Sequence, residues 1–296
     1  MRHIDPPSRR TAVVEAVQRR ALLTQAVAAV LMGAPLFARG SPAATGMQLR
    51  IGGTGMALAT MREISTAFTA INPEITVTVL PSLGTGGGLN AVAAGAIELA
   101  LAARALNDTE RARGLHAAAY ARTPIAFAVN PDAGIRETTL TQVMQIFRGQ
   151  LLSWPNGKTI RLIRREPSDA DWSMLRALSP DMIEAIKIAL ERPGLLTAST
   201  DQENADALER LPGAFGAMSL GQIRAESRNV VPLTLDGELP TAENLAADRY
   251  KLARTLYVVW RDQSHVAAAA LVAFLATAQA RDILVRLGHI PLAGIS

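Results

Sequence analysis

"SLGTGGGLNAVAAGAIELA", residues 82–100, decides how this chain is read. It puts four glycines into five positions, just after the β-branched run "ITVTVL" (75–80) and just before an Ala-rich stretch that reads as a helix. A Gly-rich turn feeding a helix start leaves several backbone N–H groups unpaired at the positive end of the helix dipole, which is a seat for an anion. A nucleotide-binding loop would end in Gly-Lys-Ser/Thr, whereas Gly88 is followed by Leu89 and Asn90. Gly84 to Gly88 therefore point to a small anion held by backbone, with the Thr85 hydroxyl as an extra donor. The alternative is that these glycines only make a tight strand-to-helix turn.

Outward from this loop, helical and strand patterns alternate. "MQLRIGG" (47–53) reads as a strand, and Met61, Ile64, Phe68 and Ile71 follow at helical spacing. "ITVTVL" is the next strand, Leu89, Val92 and Ala93 begin a helix, and "IELALAA" (97–103) returns as a buried strand. This βαβαβ unit favours an α/β fold with a mainly parallel sheet covered by helices on both faces. Ligands in such sheets sit at the carboxyl ends of strands, where "GGTGM" (52–56) and "GTGGG" (84–88) both fall. A second unit follows. "TPIAFAVNPDAG" (123–134) is a strand stopped at Asn130-Pro131. "TTLTQVMQIFRGQ" (138–150) is a helix with Thr139 and Gln142 spaced as a capping box, Leu140, Val143, Met144 and Phe147 as its stripe, and Gly149 as its stop. "KTIRLIRRE" and "TLYVVW" read as further strands, with helices from Val266 to Leu287.

With 296 residues, 49% of them hydrophobic, the chain is long enough for about two domains. Cysteine is absent, which excludes disulfides and thiolate metal sites, and the four histidines show no ligand spacing. The net charge of +4 is concentrated at the start: residues 1–44 hold six arginines and two acids, leaving 24 basic and 24 acidic residues. The body is formally neutral and has no bulk electrostatic support for nucleic-acid binding. "QRRALLTQAVAAVLMGAPLFARGSPAA" (18–44) gives a charged region ending at Arg20, an apolar stretch and small residues near Ala43. That is the pattern of an export signal over 1–43, of the general or the twin-arginine kind, and it implies a periplasmic protein. The alternative is a retained anchor, although Gly33 and Pro35 interrupt the apolar stretch.

Residues from about 48 to 296 resemble the substrate-binding proteins of phosphate ABC importers, of the type II periplasmic-binding-protein fold. The marks, in order, are "GGTGMALAT", "SLGTGGGLNAVAAGAIELALAARAL", "IAFAVNPDAGIRETTLTQVMQIFRGQLLSW", "RREPSD", "PGAFGAMSLGQI" and "AFLATAQARDILVRLGHIPL". The resemblance implies two α/β lobes joined by two crossover strands near "TPIAF" and "RTLYV". Lobe one would be 47–123 plus 256–296 and lobe two 124–255. It also implies a monomer that holds a small oxyanion such as phosphate between the lobes and presents it to an ABC permease, with no cofactor, no metal and no catalysis.

Carried over residue by residue, the implied ligand-binding set is Gly55 and Met56 in the first turn, Thr85 and Gly86 in the Gly-rich loop, Arg164, and Ser168, Asp169 and Ala170 at the head of the second-lobe helix. Several positions depart from the family. Gly55 stands where a hydroxyl is usual, Ala103 where some members place an aspartate that accepts the proton of hydrogen phosphate, and Asp169-Ala170 where Gly-Thr is usual. Asp169 either caps the following helix or, with Asp171 and Glu166, forms an acidic lip suited to a ligand with an ammonium group or a metal-bound species. Trp172 either stacks on that ligand or is core. The other functional class is a periplasmic sensor or interaction module that kept the fold and lost phosphate binding.

Two enzyme motifs are approached. "AMSLG" (217–221) is one residue from a Gly-x-Ser-x-Gly nucleophile elbow, with His265 or His289 as partners on paper. "GGTGMAL" misses the last glycine of a dinucleotide fingerprint, and no acid for a ribose ends the next strand.

Overall fold

The computed structural model describes residues 46–262 and 265–293. The expected export signal lies outside the described residues. In chain order the first half comprises β1 (Met47–Gly53), α1 (Gly55–Ile71), β2 (Ile75–Val79), α2 (Gly84–Ala93), β3 (Leu99–Ala102), α3 (Asp108–Ala112), β4 (Leu115–Val129), β5 (Glu137–Thr138) and α4 (Leu140–Arg148). Then come β6 (Arg161–Leu162), β7 (Arg164–Arg165), α5 (Ala170–Arg176), α6 (Pro180–Glu191), β8 (Thr197–Ala198), α7 (Asp201–Arg210), β9 (Ala214–Ser219) and α8 (Leu220–Ala225). The chain closes with β10 (Val231–Pro232), β11 (Thr234–Leu235), α9 (Ala242–Ala246), β12 (Ala253–Arg261), α10 (Val266–Phe274), α11 (Ala278–Arg286) and β13 (Ile290–Pro291).

The main sheet runs β2-β1-β3-β12-β4-β9-β6, with β10 and β13 also paired to β4. The parallel pairings expected of the βαβαβ unit are present at β1–β2 and β1–β3. The middle of the sheet is antiparallel, because β12 runs against both β3 and β4, and β4 against β9. The sheet is therefore mixed, with its parallel pairs at either end. The fifteen-residue β4 makes this possible: up to Pro124 it pairs with β12, and from Ile125 onward with β9. Both stretches expected to cross, "TPIAF" and "RTLYV", lie on these two strands.

Burial explains most of the helices. Met61, Ile64 and Phe68 of α1 are sealed in the core beside Leu49, Ile51 and Leu101, while Ile71, on the last turn, is 62% exposed where the helix ends. In α4 the capping box forms, with Thr139 accepting from the Gln142 N–H and Gln142 from the Thr139 N–H, and Gly149 ends the helix in the left-handed region. "KTIRLIRRE" is not one strand. Leu162 pairs with Phe215 of β9, and Arg164–Arg165 pair with Thr197–Ala198 in a separate two-stranded sheet. That break places Arg164 and Arg165 beside α5 and α7, the elements that carry the cleft's carboxylates.

Candidate ligand cleft

The glycines of the opening stretch divide by role. Gly84 takes φ +64°, which starts α2 sharply after the turn, and a Cβ on Gly88 would lie 2.7 Å from the Cα of Gly53. The tight-turn reading therefore accounts for these two. A Cβ on Gly86 would meet nothing within 4 Å; this glycine lines a cleft instead. The cleft has a volume of about 390 Å³ and is bordered by Thr54 and Met56 of the first turn, by Ser82 to Gly87, by Ala103 and Arg104, by Arg165, Glu166 and Ser168 to Asp171, and by Ser199 to Asp201. The two Gly-rich turns and the head of α5, expected to converge from sequence, thus share one cavity.

A larger depression, about 850 Å³, lies around Ile135, Thr139, Trp154 and Asp236. Its one helix start is already satisfied, by the capping box of α4 and by Asp236, which accepts the Leu140 N–H at 3.1 Å. The smaller cleft is bordered instead by the first turns of α1 and α2 and by Arg165.

Neither α1 nor α2 is capped by the side chain before it. At α2, Thr85 Oγ1 accepts the Ala103 N–H at 3.1 Å, which leaves the hydroxyl proton for a cleft ligand. At α1 a side chain from far along the chain serves. Asp201 Oδ2 accepts the Met56 N–H at 2.9 Å and the Thr54 hydroxyl at 3.3 Å. Gln202 completes the contact by donating to the Gly55 carbonyl at 3.0 Å. Gly55 itself is not on the cavity wall, and a Cβ there would lie 2.8 Å from the Asp201 side chain and 2.4 Å from Gln202 Oε1. The bare backbone at 55 makes room for these two side chains.

The cleft arginine is Arg165. Its neighbour Arg164 points away, with Nε donating to Thr197 Oγ1 at 3.0 Å and Nη1 to the Leu190 carbonyl at 2.6 Å. There it satisfies the end of α6, where a cation is favoured by the helix dipole. Arg165 is buried and binds both flanking carboxylates, Asp169 at 2.6 Å and Asp201 at 3.2 Å, and donates to the Thr200 carbonyl. Burial opposes its charge, but Asp201 and Asp169 outweigh burial and raise its pKa.

Asp169 does cap α5, accepting the Asp171 N–H at 2.8 Å, yet it also faces the cleft through Arg165. Ala170 is the first helical residue behind it, and Ser168 stands exposed at the rim. Asp171 is buried against Arg254 of β12 at 3.0 Å, and its carboxyl is pushed up to about 6, first by burial and then by Asp169. Burial likewise raises Asp201, with Arg165 pulling the other way. Glu166 accepts the Ser199 hydroxyl at 3.1 Å, and Arg104, on the opposite wall, is held by Glu110 at 2.7 Å. The acidic lip is real in composition, but Asp169, Asp171 and Asp201 each face an arginine. Trp172 belongs to the core: it is buried, packs edge-on against Phe147 and donates its ring N–H to the Glu166 carbonyl.

The residues considered for an elbow are used otherwise. Ser219 is buried as the cap of α8, accepting the Gln222 N–H at 3.1 Å, and His289 meets Thr60 at 3.0 Å. His265 caps α10.

A mixed sheet flanked by helices, with the first turns of α1 and α2, Arg104 and Arg165 bordering one cleft, is the arrangement that the comparisons match. The chain belongs to the PBP superfamily: the family model PBP_like_2, a PBP superfamily domain, matches residues 39–279. It is 25% identical to the phosphate-binding protein PstS of Bacillus subtilis over 225 residues, 73% of this chain and 70% of that protein. Among solved structures, a protein of Clostridium perfringens described as a phosphate ABC transporter substrate-binding protein with bound phosphate shares the fold at a TM-score of 0.71. It is 18% identical, over 83% of this chain and all of that one. An ABC-type phosphate transport receptor from Vibrio cholerae aligns at 0.56 and 22% identity, over 82% of this chain and 99% of that one.

Proposed function

We propose that this chain is an exported solute-binding protein that takes a small oxyanion, phosphate first among them, into the cleft and presents it to an ABC permease of the inner membrane. The observation that carries the reading is the convergence of the first turn of α2, the Thr85 hydroxyl and Arg165 on one cavity of about 390 Å³. Backbone N–H groups at a helix start and a guanidinium are the donors that recognise oxyanions. The names of the relatives support the same solute and the same transport partner. The proposed oxyanion set becomes Met56, Thr85, Gly86, Arg165, Ser168 and Ala170, with Arg165 replacing Arg164, Asp169 holding Arg165 in place of contacting the anion, and Gly55 making room for Asp201 and Gln202.

The two lobes are 47–123 plus 256–296 and 124–255, hinged where β4 exchanges β12 for β9 and where β12 begins. Swinging about two strands is an ordinary closure for such a pair. The protein works as a monomer in the periplasm and performs no covalent chemistry. A thermal-shift screen against phosphate, sulfate, molybdate, phosphonates and zwitterionic amines tests the reading. A ligand at 100 times its dissociation constant adds about 2.7 kcal/mol of stability. Phosphate should raise the melting temperature, and a response to amines alone would reject an oxyanion ligand.

A further inference from the structure

The donor set at the start of α1 serves a carboxylate of the chain itself. Both Asp201 oxygens are engaged: Oδ2 takes the Met56 N–H and the Thr54 hydroxyl, and Oδ1 takes Arg165 Nη2. A backbone N–H at a helix start, a hydroxyl and a guanidinium are the partners an oxyanion's oxygens would use. The local backbone is shaped around this contact, since any side chain at 55 would overlap Asp201 and Gln202. Asp201 is also firmly placed, as the first residue of α7 behind the cap Thr200, which accepts the Glu203 N–H at 3.1 Å.

We infer that Asp201 is a resident counter-ligand of the cleft, so that an incoming oxyanion must replace the Asp201 carboxylate at Met56, Thr54 and Arg165. This rests on the oxyanion reading of the cleft. Charge makes the two occupants exclusive: a dianion placed beside Asp201 and Asp169 would face two carboxylates across one shared arginine. The consequence is a receptor with weak affinity for inorganic phosphate, whose capture threshold is set by a residue 145 positions from the amide it occupies.

The test uses the full chain, Asp201→Ala and Asp201→Asn, with inorganic phosphate as the probe. Hydrogen exchange is followed at the Met56 amide and binding is followed by calorimetry. Asp201→Ala should exchange the Met56 amide at least tenfold faster than the wild type, and added phosphate should slow it again. Both variants should bind phosphate at least tenfold more tightly than the wild type. Asp201→Asn keeps the shape and neutralises the charge, so it guards against a folding defect in the alanine variant. Unchanged Met56 exchange in Asp201→Ala overturns the resident carboxylate. Phosphate bound by the wild type and bound equally or more weakly by both variants overturns the competition while leaving oxyanion capture standing. Phosphate bound by none of the three rejects the oxyanion reading together with the displacement that rests on it.

Discussion

Arg164 and Arg165 are adjacent on β7 and serve opposite sides of it, Arg164 closing the end of α6 through the Leu190 carbonyl at 2.6 Å and Arg165 entering the cleft to bind Asp169 at 2.6 Å. The pair separates structure from recognition. Arg164→Ala should cost about 1–3 kcal/mol of stability, through hydrogen bonds from a charged donor, and leave oxyanion binding unchanged. Arg165→Ala should abolish oxyanion binding and destabilise by about 3–5 kcal/mol, because Asp169 and Asp201 lose their shared cation while still largely buried. Denaturant melts and calorimetry on the two variants check this. Loss of binding in Arg164→Ala would contradict the assignment.

Thr85 Oγ1 takes the Ala103 N–H and keeps its proton for the cleft. Thr85→Val should weaken oxyanion binding by about 1–2 kcal/mol, one lost hydrogen bond to a charged acceptor, while Thr85→Ser restores most of it. Equal affinities across the three proteins would remove Thr85 from the site.

Two glycines two residues apart at the start of α2 should respond in opposite directions. Gly88→Ala drives a methyl to 2.7 Å from the Gly53 Cα and 3.3 Å from the Ala100 Cβ, and should cost about 1–3 kcal/mol by overpacking. Gly86→Ala meets open space and should leave the fold unharmed, or stabilise it by up to about 1 kcal/mol through helix propensity. Thermal melts decide, and equal losses would mean that the first turns of α2 need glycine for their backbone alone.

His289 is buried with only Nε2 partnered, and burial, aided by Arg224, pushes its pKa down to about 4. The unfolded chain takes up a proton near pH 6.5, the fold only near pH 4, so protonation favours unfolding in that window. The contribution of a neutral His289 is complete above pH 6.5 and is lost as pH falls toward 4, by roughly 3 kcal/mol. Asp171, pushed up to about 6, works in the opposite sense: it adds stability below its ordinary range and loses it as pH rises through 6. The informative quantity is therefore the difference in unfolding free energy between wild type and His289→Gln, which should shift against the wild type between pH 7 and pH 4. A difference independent of pH would contradict the assignment.

Much of this architecture is legible along the chain because its signals are local. Period-two and helical runs mark β1, α1, β2, α2 and β3, and the spacing of Thr139 and Gln142 marks the start of α4. The mixed sheet is less so, since nothing in the run 115–129 says that its two halves take different partners. The choice between Arg164 and Arg165 depends on which face of a two-residue strand meets the cleft, and that is set by pairing with Thr197–Ala198, more than 30 residues on. Asp169 could be read as a cap from its position, and it is one, but its second oxygen serves the cleft. Asp201 carried no local mark, because its significance lies in the contact with Met56 and Thr54, which only the closed path of the chain brings near.

The proposed function requires that a small oxyanion be held at the α2 start and Arg165. Calorimetric titration of inorganic phosphate, carried to millimolar concentration, into the wild-type chain, Arg164→Ala and Arg165→Ala tests it most directly. One-site binding is expected in the first two proteins and none in the third. Undiminished phosphate binding by Arg165→Ala, or none by the wild type, would contradict it.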